Sequence, residues 1–102
     1  MLMTKRKPAS AGEILVEEFM LPMDLTQNAL AEAMGVQRKH VNELCNGRRG
    51  VTASTALILA RVFGNTPEFW LNIQRRTDLW NAMHSPREQD RIGRAKPLIE
   101  AA

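Results

Sequence analysis

Gln37, Arg38, Lys39, Asn42 and Glu43 bring five hydrogen-bonding side chains into seven consecutive positions, with Asn46 one turn further on. An arginine fork fits guanine O6 and N7, an Asn or Gln carboxamide fits adenine N6 and N7, and a carboxylate accepts from cytosine N4. On helical spacing Val41 and Leu44 fall on the opposite face with Cys45 at their edge, so the polar set points outward as a base-reading surface. Residues 36–50 hold four basic side chains against one acidic, Glu43. Asn46, Arg48 and Arg49 then suit the phosphate backbone, as do Thr26, Gln27 and the orphan N–H groups that begin the preceding helix. Other chemistry is poorly represented. The chain has no phosphate-cradling glycine loop, no metal-ligand spacing and no nucleophile paired with a base. His40 and His84 are the only histidines, and neighbouring Glu17 and Glu18 splay apart on a helix. Neither an enzyme, a cofactor nor a metal is expected.

Two short helices are needed to present these residues. Thr26 is an N-cap, and Leu30, Ala31 and Met34 follow on one face. Gly35 stands where the helix must end in a left-handed residue, and small Ala31 lets a second helix, carrying Val41 and Leu44, cross closely. The pattern over 26–46 is a helix-turn-helix. Gln37 departs from the Ser or Thr that would cap the second helix better.

These residues resemble the Cro/lambda-repressor (XRE) type of helix-turn-helix, with its Gln at the start of the first motif helix and Asn-Gly after the second. Gly12-Glu-Ile-Leu15, Glu17-Glu-Phe19, Leu25-Thr-Gln27, Leu44 to Arg49, Val51-Thr-Ala53, Thr55-Ala-Leu57 and Phe63-Gly-Asn-Thr-Pro-Glu-Phe-Trp-Leu-Asn72 resemble, more narrowly, the HigA-type antitoxins of HigBA addiction modules. The likeness runs from about residue 8 to about 98. It implies an all-α, five- to six-helix lambda-repressor-like domain that binds operator DNA as a homodimer and blocks a HigB-type, RelE-like mRNA-cleaving toxin. A stand-alone phage-type or metabolic repressor, and a toxin-masking protein with incidental DNA affinity, are the alternatives.

With 102 residues the chain has room for one core. A net charge of +3 permits a polyanionic partner without specifying one. Its single cysteine excludes an internal disulfide and fits a reducing compartment. No apolar run approaches the roughly 18 residues of a membrane span, and the basic N-terminus lacks the apolar stretch of a secretion signal, so a cytoplasmic location is expected.

Residues 1–9, with Lys5-Arg6-Lys7, read as a mobile basic arm before a single domain over 10–102. Ser10 and Glu13 form a capping box for a helix to about Met20 with Ile14, Leu15 and Phe19 inward, acidic on its other side and closed by Pro22. Thr52 caps a helix ending at Gly64 that is apolar nearly all round and should be the centre of the core. Thr66 and Pro67 start a long helix to about Met83. Two tryptophans and a Phe on this one helix exceed what a small core absorbs, which points to a dimer interface through Trp70, Ile73, Leu79 and Trp80. Ser85 and Glu88 suggest another capping box for a short charged helix interrupted by Gly93.

Overall fold

The computed structural model describes residues 6–99, so Lys5 and the rest of the expected arm before Arg6 lie outside the described residues, as do residues 100–102. The described residues are helical, without strands. Helix α1 (Ala11–Ile14) opens on the capping box: Ser10 Oγ accepts from the Glu13 N–H and Glu13 Oε1 from the Ser10 N–H, each at 3.2 Å. The helix then widens without a break into a π-helical segment, Leu15–Met20. Its i→i+5 turns bring residues five apart onto one face, which puts Met20 beside Leu15 in the core, while Phe19 is only half-buried. The expected helix therefore has the right extent but a wider pitch. The segment ends at Met20, with Leu21 as its C-cap directly before Pro22; beyond it the Leu25 N–H reaches Met20 O at 2.8 Å and the Asp24 N–H reaches Leu21 O at 3.2 Å, with Asp24 in the left-handed region at φ 51°.

Helix α2 (Gln27–Met34) begins with the Ala29 N–H donating to Thr26 Oγ1 at 3.1 Å. It ends at Gly35, φ 70°, where the Val36 N–H donates to Ala31 O. Leu30, Ala31 and Met34 are buried, as their spacing predicts. Helix α3 (Arg38–Cys45) crosses above them, and a loop leads to α4 (Ala53–Phe63), capped by Thr52 and ended by Gly64. Helix α4 packs against α2 and α5. Ala56, Leu59 and Ala60 are sealed inside, Ile58 and Val62 are half-buried, and Leu57 is 61 % exposed, so the cover around this helix is less complete than its composition suggests.

Helix α5 (Pro67–Met83) starts from the Thr66 cap with Pro67 at its first position. Trp70, fully buried, anchors it to a cluster with Phe19 (ring centroids 5.1 Å apart) and Phe63 (6.0 Å), and its indole N–H donates to Asn65 Oδ1 at 2.9 Å. Helix α6 (Pro86–Gly93) is capped by Ser85, packs on α5 and buries no residue. The Ser85 hydroxyl accepts from the Glu88 N–H.

Candidate nucleic-acid interface

Helix α3 is mostly polar, so its position depends on a few contacts. Val41 and Leu44 are 0 % and 2 % exposed. On the side facing α1 the backbones meet at Gly12: a Cβ there would lie 2.1 Å from Leu44 O and 3.0 Å from Cys45 O, so only a hydrogen fits. At the same end the half-buried Cys45 thiol donates to Met20 Sδ at 3.7 Å, and burial pushes its pKa up.

The outward face then presents the expected residues in two arrangements. Gln37, Arg38 and Lys39 are exposed at the helix start, and Gln37 makes no capping hydrogen bond. Asn42 and Glu43 are half-buried and engaged. Asn42 Nδ2 donates to Gln27 Oε1 at 3.2 Å, and Asn42 Oδ1 accepts from Asn46 Nδ2 at 3.2 Å. This chain ties the start of α2 to the end of α3. Glu43 Oε1 accepts from Arg49 Nε at 3.1 Å and from an Arg49 terminal amine at 2.7 Å. The hydrogen bond from Arg49 holds the Glu43 carboxyl below its usual pKa range. Both of those bonds fall on one carboxylate oxygen, so the other keeps its acceptor capacity. His40, behind them, has its pKa lowered first by burial and then by the charge of Arg49, with Glu43 opposing. Its Nε2 is buried without a hydrogen-bond partner.

The loop after α3 is pinned at both ends. Gly47 is left-handed at φ 71°, and the Arg48 and Arg49 N–H groups both donate to Glu43 O, at 2.9 and 3.3 Å. At the far end the Val51 N–H donates to Gln74 Oε1 at 2.8 Å, while Gln74 Nε2 donates to Asp78 Oδ1 at 2.9 Å. A Cβ on Gly50 would come within 3.2 Å of the Gln74 side chain. Gln74 thus positions the Arg48–Arg49 loop from the middle of α5. Sequence reasoning missed it because nothing local links a helical Gln to a loop 23 residues earlier.

The other set of expected residues is divided. Trp70 is 0 % and Ile73 8 % exposed within their own chain, so neither can supply an intersubunit surface; the small core absorbs this indole after all. That corrects the expectation for these two. Leu79 is 44 % exposed and Trp80 half-buried, its ring stacked 3.8 Å from His84 with the Lys7 ammonium 5.7 Å away. Met83, near the end of α5, and Ile92, on α6, are also exposed.

A helix-turn-helix family model matches residues 16–71. Antitoxin HigA-1 of Vibrio cholerae is 53 % identical over 97 residues, covering 94 % of this chain and 89 % of that one. The chain belongs to the HigA-type antitoxins of the helix-turn-helix family. Members of this family are DNA-binding regulators and antitoxins, not enzymes. Among solved structures, the Pseudomonas aeruginosa antitoxin HigA with the higBA promoter superposes with a TM-score of 0.81 at 34 % identity, over 90 % of this chain and 99 % of that one. Antitoxin GraA in complex with its operator gives 0.82 at 38 % identity, over 98 % and 100 %. The lambda-repressor-like arrangement of helices in this HigA-type chain is therefore shared with structures that hold DNA. No helix among the described residues is long and apolar enough to cross a membrane.

Proposed function

We infer that this chain is a cytoplasmic antitoxin and autorepressor that occupies its own operator as a homodimer and neutralises a HigB-type, RelE-like mRNA-cleaving toxin. The observation that carries the DNA-binding half is the α3 face: a polar row held outward by two buried residues and one glycine contact. The promoter and operator complexes of its structural relatives support the same half, and the likeness to HigA-1 supports the toxin half.

In this reading Arg38, Lys39, Asn42 and Glu43 meet base edges, with Gln37 assisting from the helix start. Arg48 and Arg49 grip phosphates from the loop that Gln74 holds, and the first N–H groups of α2, beside Thr26 and Gln27, meet a phosphate at a positive dipole end. Residues 10–102 act as one unit behind the basic arm. Two copies pair through Leu79 and Trp80, continued by Met83 and Ile92, so that two α3 helices stand about 34 Å apart and enter successive major grooves.

A competition gel shift with DNA from upstream of the reading frame tests the repressor half. Arg38→Ala should cost about 1–3 kcal/mol at one matched base pair, whereas Arg48→Ala should weaken binding to every duplex and reduce the salt slope by about one. Equal losses for Arg38→Ala on operator and scrambled DNA would remove the base-reading role. Rescue of growth on coexpression with the product of an adjacent small basic reading frame tests the toxin half, and its failure would leave a stand-alone repressor.

A further inference from the structure

Asn42 sits at the middle of a hydrogen-bonded chain whose two ends were both expected to face phosphates. A primary carboxamide has two N–H donors and two oxygen lone pairs. In Asn42 one N–H is taken by Gln27 Oε1 and one lone pair by Asn46 Nδ2, each at 3.2 Å, on a side chain that lies on the outward face of α3. One donor and one acceptor remain. Turning the Asn42 carboxamide over by itself would set its nitrogen against the Asn46 amine and its oxygen against the Gln27 oxygen, so it turns only together with both neighbours, and in either sense one donor and one acceptor stay free.

That remaining pair has a definite complement. Adenine shows an acceptor, N7, beside a donor, the N6 amine, in the major groove. Guanine shows two acceptors, thymine an acceptor and a methyl group, and cytosine a single donor, so each leaves one Asn42 group unpaired or opposed. We propose that Asn42 is an adenine reader and that Gln27 and Asn46 are its positioning residues, oriented toward it rather than toward phosphate. The assignment rests on the repressor reading above and specifies one base of the operator. Holding the carboxamide before DNA arrives also removes the freedom that an unclamped Asn would lose on binding. Gln27 therefore acts on sequence preference and not on general affinity.

The test selects sites from a random duplex pool with the full-length protein, then measures affinity for all four base pairs at each half-site position. The wild-type chain should prefer A·T at one position by about tenfold, the discrimination of a bidentate side chain–base pair. Asn42→Ala should abolish that preference and leave the others. Gln27→Ala should reduce it several-fold at the same position. Gln27→Glu keeps the acceptor that Asn42 uses while placing a negative charge near the backbone, so it should retain the preference even as affinity for every duplex falls. Asn46→Asp, which removes the donor, should lose it. Circular dichroism establishes that each variant is folded. If Gln27→Ala weakens all duplexes alike and keeps the adenine preference, Gln27 is a phosphate contact and the clamp is wrong. If no position responds to Asn42→Ala, the adenine assignment is wrong although the repressor reading survives. If the wild-type chain selects no sequence at all, both fall.

Discussion

Helices α3 and α6 are each eight residues long and mostly polar, yet they are held in opposite ways. Helix α6 has the better local start: Ser85 caps it, Pro86 occupies its first position and Glu88 its first turn. Helix α3 has none of these, and its N-cap Gln37 makes no side-chain hydrogen bond. Even so, α3 is fixed, because Val41 and Leu44 reach the core and Gly12 admits its backbone against α1, whereas α6 buries nothing and leaves Ile92 55 % exposed. Capping decides where a helix begins; burial decides whether it keeps one position. The base-reading role proposed for α3 needs the second, since hydrogen bonds to base edges form only over a narrow range of distances. Helix α6 can tolerate its loose attachment if its apolar residues are covered by a second copy.

The sharpest way to break this contrast is to delete one apolar side chain from each helix. Leu44→Ala should lower the unfolding free energy in urea by about 2–5 kcal/mol. Ile92→Ala should change that of the monomer by less than about 0.5 kcal/mol while weakening dimerisation in sedimentation. Comparable losses in monomer stability would mean that α6 is anchored after all. Alanine at two helical glycines should give opposite signs. Gly12→Ala should destabilise by about 1–3 kcal/mol in urea through the clash with Leu44 O, and Gly93→Ala, with nothing near its Cβ position, should stabilise α6 alone by about 0.5–1 kcal/mol, read as slower amide exchange in that helix.

Caps come next in size. Gln37→Thr should raise the melting free energy by about 0.5–1 kcal/mol, since α3 melts only with the whole core. Loss of the cap in Ser85→Ala should instead appear as faster amide exchange confined to α6, with the global transition unmoved. The smallest effect is electrostatic. With its carboxyl held below the usual range by Arg49, Glu43 contributes stability at pH above its unfolded value, and that contribution disappears as pH falls through its folded value. In Arg49→Ala the Glu43 carboxyl should titrate at the ordinary position by carbon NMR; an unchanged titration would show that the pair does not form in solution.

Much of this molecule was legible from local chemistry. Thr26, Thr52, Thr66 and Ser10 each accept the N–H their positions imply, and Gly35 and Gly64 take the left-handed conformation at helix ends, because capping and glycine freedom act within four residues along the chain. The outward identity of Arg38, Lys39, Asn42 and Glu43 followed from the period of the helix alone. The π-helical widening after Ile14 was not legible, since spacing assumes a regular pitch and Met20 joins the core only when that pitch changes. Nor was the fate of the two tryptophans, since composition shows how much apolar surface exists but not which neighbours cover it.

The amino-acid order alone determined where helices start and stop and which residues share a face, because those depend on contacts between near neighbours. Only the folded arrangement decided that Gly12 must lack a side chain, that Gln74 holds the arginine loop, that Asn42 is gripped from both sides and that Trp70 serves its own core. Each depends on groups brought together from distant parts of the chain, and no local rule specifies such an encounter.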